Sequence, residues 1–303
     1  MRLYYYRSFH PNFGDELNPW LWPQLVPNVG DETAGDDETL LVGIGTILNE
    51  LIPQAPRKLV FSSGIGYGTL PVLDDRWEIA CVRGPRTAKA LGLPAELAIT
   101  DGAALLRAVP LPSSPSKTGY VAFVPHHVSA LRADWRAIAA EAGLVYVDPR
   151  DSVERVLSRL RGARLVVTEA MHGAICADAL RVPWIPVVCY GHINAFKWQD
   201  WCDSLAVTYA PEVVPSVFEP LMRRPREILR HLRGVARVRY WEAFPRQPAD
   251  VVLSGRRERD AAVDALSRFA RGTSYLSTDA DIERATARLL ERVDMIRAAT
   301  AAR

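Results

Sequence analysis

The chain has 303 residues, of which 49% are hydrophobic and 24% charged, and its formal net charge is +2. These values are typical of a soluble globular protein, and the length suits two domains. The nearly balanced charge gives no electrostatic reason to expect a nucleic-acid partner, so none is predicted.

Short apolar runs alternate with helical patterns along the first two thirds of the chain. Nine strands are predicted, at Leu3–Tyr6, Thr39–Ile44, Lys58–Ser62, Glu78–Val82, Leu97–Thr100, Tyr120–Val124, Leu144–Val147, Arg164–Thr168 and Trp184–Cys189. Helical patterns between them include Gly84–Leu91, Ala130–Ala142 and Ser152–Leu160. Continuous Val, Ile and Leu runs are typical of strands covered on both faces, and strands that alternate with helices predict parallel sheets.

A stretch rich in Pro and Ser, at 109–119, separates the first five strands from the other four. We therefore predict an α/β fold with two Rossmann-like domains, parallel sheets and a helical C-terminal tail. The N-terminal domain is placed at 1–112, the C-terminal domain at 118–210 and the helical extension at 211–303. Within the extension, Asp279–Ala299 has the pattern of an amphipathic helix, with one apolar side formed by Ile282, Ala285, Leu289, Val293 and Ile296.

The same extension contains an arginine-rich stretch from Arg223 to Arg239, with Glu227 as its single acidic residue. One interpretation is a solvated helix face. The other is a surface patch that binds anionic lipid or a diphosphate-linked carrier at the membrane.

The cysteines and the N-terminus indicate the compartment. Cys81, Cys176, Cys189 and Cys202 lie in or near apolar segments without a C-x-x-C pair, so they are interpreted as reduced, buried thiols. The N-terminus lacks the apolar run of a signal peptide, and no run is long enough to span a bilayer. We predict a cytoplasmic protein that can still touch the inner face of the cell membrane.

Several residues that can carry chemistry follow the first three strands. The crevice beyond the carboxyl ends of parallel strands is where such sheets bind ligands. Asn12-Phe-Gly-Asp15 opens a helix, and Asp15 can cap that helix or hold a sugar hydroxyl. Gly45 and Gly66 end Gly-Ile-Gly turns, where glycine permits close backbone approach by a ligand.

Charged residues follow the next two predicted strands. Arg83-Gly-Pro-Arg86 places two guanidinium groups at a strand end, where they could clamp a carboxylate or phosphate or lie exposed at a helix start. Asp101 is a candidate general acid or another helix cap.

The second half has its own candidates. His172 stands at the start of a helix, where free N–H groups and the helix dipole favour phosphate. It can bond an anion, move a proton or serve only as a cap. His126 and His127 follow one strand end and Lys197 follows another. No metal is predicted, because H-E-x-x-H and paired cysteines are lacking.

The order of these motifs resembles that of the polysaccharide pyruvyl transferases over about residues 1–205. The resemblance implies two Rossmann-like domains in a glycosyltransferase-B-like arrangement, with the acceptor on the first and the donor on the second. It also implies pyruvate transfer from phosphoenolpyruvate to a sugar of an exopolysaccharide or its lipid-linked repeat unit. The products would be a cyclic ketal and phosphate, and no cofactor is implied.

Residue roles follow from the same resemblance. Arg86, together with Arg83, His172 and Lys197, matches the donor-binding positions of the family. Many relatives carry Arg at the position of Ala170, so we expect His126 or His127 to compensate for the missing charge. The expected proton-transfer residues are His172, Asp101, Glu169 and Asp15. The expected acceptor-binding residues are Asn12, Asp15, Gly45 and Gly66.

Two alternatives remain open from the residues. One is a glycosyltransferase that uses a nucleotide sugar on the same architecture, since one fold hosts many reactions. The other is a non-catalytic member that binds glycan or acts as a scaffold.

Overall fold

The computed structural model describes residues 1–27, 29–30, 39–113, 119–219 and 254–301. These residues form two parallel sheets with helices packed around them. The stretch Arg223–Arg239 lies outside the described residues, so its two interpretations both stay predictions.

The first sheet has four parallel strands in the order β1-β2-β3-β4. They are β1 (Arg2–Tyr4), β2 (Thr39–Val42), β3 (Arg57–Ser63) and β4 (Trp77–Val82). Two helices follow strands of this sheet, α1 (Phe13–Leu25) after β1 and α2 (Pro85–Ala90) after β4. β2 is buried along its whole length, as its apolar run 40–42 predicts.

The second sheet has five strands in the order β6-β5-β7-β8-β9, with all neighbours parallel. They are β5 (Tyr120–Val124), β6 (Val145–Tyr146), β7 (Ala163–Thr168), β8 (Trp184–Val188) and β9 (Glu212–Val213). The helices between them are α3 (Trp135–Glu141), α4 (Val153–Gly162), α5 (Met171–Ala179) and α6 (Ala195–Ser204). Of the two caps that the sequence allows for α4, Asp151 and Ser152, the structure uses Ser152, whose side chain accepts from the Arg155 amide.

The structure differs from the predicted elements in three places. The predicted strand Leu97–Thr100 is wrong, because this segment lies between the 3₁₀ helices Ala95–Leu97 and Gly102–Ala108 and makes only an isolated bridge, from Ala98 to Val82. The predicted helix Ala130–Ala142 is interrupted, since Asp134 caps a new helix, α3, within it. The short strand β9 was missed because both of its residues are exposed and give no apolar pattern.

The C-terminal helices pack on different halves of the molecule. α7 (Arg256–Phe269) packs against α3, whereas α8 (Asp279–Ala301) returns to the 3₁₀ helix Gly102–Ala108 beside the first sheet. The predicted apolar side of α8 is confirmed, because its five named residues are all buried in one apolar cluster with residues of both sheets. None of the described helices is both long and apolar enough to cross a bilayer.

The four cysteines are free and buried, as expected. The α/β class and the parallel sheets are confirmed as well. The division into domains and their glycosyltransferase-B-like arrangement stay predictions.

Candidate active site

The site begins at the N-terminus of α1. Asn12 is the cap of this helix, and its side chain accepts a hydrogen bond from the Gly14 amide at 3.3 Å. Asp15 therefore lies in the first turn of α1 and is not its cap. The Asn12 carboxamide donates a hydrogen bond to Asp15 Oδ2 at 2.7 Å. Burial raises the pKa of Asp15 to about 6, although the charges of His172 and Lys197 act against that shift.

His172 reaches this helix from the second sheet. It lies in the first turn of α5, and its Nδ1 occupies the space beside Gly14, where a Cβ at position 14 would lie only 2.2 Å away. Its Nε2 is 3.8 Å from Asp101 Oδ2. Both of these atoms are buried, and neither has a hydrogen-bond partner among the residues that the structure describes.

The two carboxylate oxygens of Asp101 differ, because one accepts a hydrogen bond from the backbone and the other accepts none from the described residues. Its Oδ1 accepts from the Ala103 amide at 3.0 Å and caps the 3₁₀ helix that follows, which confirms the capping interpretation. Its Oδ2 faces His172. His172 therefore interacts with two carboxyl groups of the first half, because its charge acts on Asp15 and its Nε2 lies near Asp101.

A cluster of three imidazoles lies at the ends of β5 and β8. The ring of His126 is 4.3 Å from that of His127 and 5.0 Å from that of His192, between centroids. Burial and then nearby positive charges lower the pKa of His192 and of His127 to about 3, and that of His126 well below its usual value. The imidazoles are therefore neutral at neutral pH.

His192 was not predicted as a site residue. The only sequence feature that pointed to His192 was its place three residues after the predicted strand Trp184–Cys189. In the described part of the chain, these histidines do not converge with any Cys, Asp or Glu into a group that could hold a metal ion.

Lys197 connects the histidine cluster with the His172 side of the site. It lies in the first turn of α6 with only 8% of its surface exposed, and its Nζ is 5.7 Å from the centroid of the Tyr67 ring. Its charge acts on the three clustered histidines and on Asp15. It makes no hydrogen bond or ion pair with any described residue, so its ammonium group is available to an anion.

The glycine turns bring the two halves together. Gly66 has a φ of 152°, and a Cβ there would lie 2.8 Å from Thr46 and 3.2 Å from the Asn194 amide nitrogen. Asn194 also donates to the Gly66 carbonyl at 2.6 Å. Gly45, with a φ of 137°, accepts from the Gly64 amide through its carbonyl. The groups that approach Gly45 and Gly66 closely are therefore other residues of the protein, where a ligand was predicted.

Arg83 is fully buried, and its guanidinium group is bound within the protein. It donates to Asp200 at 3.1 Å, to the Thr46 hydroxyl at 2.7 Å and to the Ile65 carbonyl at 3.1 Å. Asp200 also accepts from the amide and hydroxyl of Thr87 at the start of α2. This pair joins α6 to the first sheet.

Arg86 lies on the outside of the same contact. It donates to Asp203 at 2.6 Å and to Gln199 at 2.7 Å, and about two fifths of its side chain is exposed. Residues of a helix are separated by about 100° around its axis, so Gln199 lies on the side of α6 opposite Lys197. The structure does not group Arg86 with His172 and Lys197.

Glu169 is fully buried between the ends of three strands. Its Oε1 accepts from the amides of Cys189 and Tyr190, at 2.8 and 3.2 Å, and its Oε2 accepts from the His126 amide at 3.1 Å. Burial raises the pKa of this carboxyl group, and the hydrogen bonds act against the shift. Both oxygens are thus engaged with backbone.

The predicted site residues therefore fall into two sets. One set is linked by hydrogen bonds, ring contacts or the charges of His172 and Lys197, and comprises Asn12, Asp15, Asp101, His126, His127, His172 and Lys197. The other set, Gly45, Gly66, Arg83, Arg86 and Glu169, makes contacts within the protein.

Comparison with known proteins adds two findings. Residues 105–190, which include the histidine motif, match the family described as polysaccharide pyruvyl transferase. The succinoglycan biosynthesis protein ExoV of Rhizobium meliloti (strain 1021) is 47% identical over 218 residues, which cover 71% of this chain and 68% of that protein.

Proposed function

The chain belongs to the polysaccharide pyruvyl transferase family and is a pyruvyltransferase, and from this premise we propose that its donor is phosphoenolpyruvate. The acceptor is a sugar of an exopolysaccharide or of its lipid-linked repeat unit. Two hydroxyls of that sugar become bridged by pyruvate as a cyclic ketal, and phosphate is released.

One observation carries the proposal: His172 Nε2 lies 3.8 Å from Asp101 Oδ2, and the charges of His172 and Lys197 both act on Asp15. Phosphoenolpyruvate carries a carboxylate and a phosphate, and its reaction needs one group that gives a proton and another that takes one. A raised carboxyl pKa, an imidazole and a buried cation supply these functions in one place.

The donor lies in the crevice with its anionic groups against Lys197, His126, His127 and the N-terminus of α5. Lys197 supplies a full positive charge, whereas the clustered histidines are neutral and act through their N–H groups. The free amides of α5 add a partial positive charge. The position that many relatives fill with Arg is Ala170 here, so these groups take over its role.

The first half of the reaction adds one hydroxyl to the donor. The protonated carboxyl group of Asp15 gives its proton to the methylene carbon, which becomes the methyl group of pyruvate. The first sugar hydroxyl forms a bond to C2 as His172 takes its proton, and Asp101 stabilises the resulting imidazolium.

The second half closes the ring. The second hydroxyl forms its bond to C2 while the bond from C2 to the phosphate oxygen breaks. His172 gives its proton to the departing phosphate, and Asp15 recovers a proton from the second hydroxyl. Both groups then return to their initial states, so the cycle balances without any further reactant.

The test is phosphate release from phosphoenolpyruvate in the presence of lipid-linked repeat units, with the ketal identified on the product by NMR. We expect release to require both substrates and to be lost in His172→Ala. Lys197→Ala should raise the KM for the donor, whereas Lys89→Ala, which changes an exposed lysine of α2, should not. Binding of a UDP- or GDP-sugar without any binding of phosphoenolpyruvate would overturn the proposal.

A further inference from the structure

The hydrogen bonds of His126 specify where its ring proton lies. Its Nδ1 accepts from the Val128 amide at 3.3 Å. A backbone N–H can only donate, so this nitrogen carries no proton. In the neutral ring the proton is then on Nε2, and Nε2 bonds to none of the described residues.

His192 adds a second donor to the same nitrogen. Its Nε2 lies 3.2 Å from His126 Nδ1 and shares the single lone pair of that nitrogen with the Val128 amide. Because Nδ1 carries no proton, the hydrogen bond between the two rings is donated by His192 Nε2. The Ser129 hydroxyl, 3.5 Å from the same Nε2, can accept from it, since this hydroxyl also donates to Glu169. The donor and acceptor assigned in each of these three hydrogen bonds therefore agree with those assigned in the other two.

The geometry also opposes the charged forms. His192 Nδ1 is buried with no partner in the described part of the protein, so protonation there would create a buried cationic N–H without an acceptor. Protonation of His126 at Nδ1 would break both hydrogen bonds that it accepts. The lowered pKa of each ring agrees with this, and the cations Lys197 and Arg132 face both rings.

The backbone that carries the two rings is fixed by Glu169. One carboxylate oxygen holds the amide of His126, and the other holds the amides of Cys189 and Tyr190, just before His192. The turns after β5 and β8 are thereby held at a constant separation.

We infer that His192 is a positioning residue for the donor site, which holds His126 in a single neutral tautomer so that its Nε2–H is presented to a phosphate oxygen. The inference rests on the proposed function, in which this crevice takes phosphoenolpyruvate. It assigns a role to His192, and it makes His126 a neutral hydrogen-bond donor while the positive charge comes from Lys197.

The experiment is NMR of the full chain labelled with ¹⁵N-histidine, with and without inorganic phosphate or phosphoenolpyruvate at neutral pH. We expect His126 to show a protonated Nε2 and an unprotonated Nδ1, with the Nε2 signal shifting as either ligand is added. His192→Phe should mix the two tautomers and weaken binding of both ligands about five- to tenfold, as expected for one hydrogen bond.

Two variants serve as controls. His192→Gln retains a side-chain N–H donor and should restore a large part of the affinity and the single tautomer. Ser216→Ala removes a hydrogen bond to the Cys189 carbonyl near the same turn, but touches no imidazole, and should leave the His126 signals unchanged.

The wild-type spectrum alone can overturn the inference, by showing His126 protonated on Nδ1 or on both nitrogens. Unchanged tautomer and affinity in His192→Phe would also overturn it. If the tautomer is wrong but pyruvate is transferred from phosphoenolpyruvate, only this inference fails. If phosphate binds as expected but no pyruvate is transferred, only the proposed function fails.

Discussion

Gly14 and His172 are in contact so closely that no side chain fits between them. A Cβ at position 14 would lie 2.2 Å from Nδ1 of the imidazole and 2.9 Å from its Cβ. The start of α1 beside the first sheet and the start of α5 beside the second therefore meet at this one ring. The glycine sets the position of His172 relative to Asp15 and Asp101.

Gly14→Ala should consequently reduce pyruvate transfer by about 100-fold, because the imidazole must move by about 1 Å or more to make room for the methyl group. Thermal unfolding should change much less than activity. The matched control is Gly255→Ala at the start of α7, where the nearest atom to a new Cβ is 3.3 Å away on the Glu258 side chain. Activity of Gly14→Ala within twofold of the wild type would contradict this placement of His172.

Asp15 should make the fold less stable at neutral pH than an uncharged residue would. Its pKa is about 6 in the folded protein, against 3.8 for a solvent-exposed Asp, so folding opposes its ionisation. The penalty is absent at low pH, where the carboxyl group is protonated in both states, and is complete above pH 6. Asp15→Asn should therefore raise the free energy of unfolding by up to about 3 kcal/mol at pH 8.

Urea unfolding of wild type and Asp15→Asn at several pH values would measure this difference. It should shrink as the pH falls from 6 towards 4, and a difference that does not depend on pH would refute the raised pKa. The same ionisation should lower kcat/KM of the wild type as the pH rises above about 6, since the proposed reaction uses the protonated carboxyl group.

Local sequence patterns predicted the parts of the fold that depend on local physics. Unbroken apolar runs located buried strands such as β2, and Ser152 correctly indicated the start of α4. The segment Leu97–Thr100 also has an apolar run, yet it makes only one bridge to β4. Pairing with a neighbouring strand is a long-range property, which the run itself does not contain.

The same limit applies to the site. Arg83 and Arg86 follow one strand and were predicted to act together, but their partners Asp200 and Asp203 lie 117 residues further along the chain. The motif order located His172 and Lys197 after strands of the second sheet, and Asp101 after a segment that makes only one bridge. It could not show that Gly14 would touch His172, or that His192 would meet His126, because both contacts join distant turns.

The two arginines should respond differently to substitution. Arg83→Met leaves the buried carboxylate of Asp200 without its charged partner, and should cost about 3–5 kcal/mol of stability. Arg86→Met removes an exposed ion pair, worth at most about 1 kcal/mol. Chemical unfolding of both variants measures the contrast, and equal losses would contradict it.

Arg86→Met also tests the role that the family resemblance implies. Since the guanidinium group lies with Asp203 and Gln199, we expect the KM for phosphoenolpyruvate to stay within about twofold of the wild type. A large rise in KM, with unchanged stability, would show that Arg86 leaves these partners to bind the donor.

Glu169 should prove essential to stability more than to proton transfer. Glu169→Ala leaves the amides of His126, Cys189 and Tyr190 without their acceptor, and at 1–3 kcal/mol for each buried group it should cost about 3 kcal/mol or more. Ser152→Ala, which removes one helix cap, is a matched control expected to cost about 1 kcal/mol.

Glu169→Gln separates the two roles of this residue. Its carboxamide oxygen can still accept from two of the amides, but its NH₂ group would face the third. If Glu169 gave or took a proton in the reaction, kcat would collapse while the unfolding free energy changed little. We expect the opposite result. The unfolding free energy should fall clearly and the KM for phosphoenolpyruvate should rise as His126 shifts, while kcat should change less than the stability or the KM.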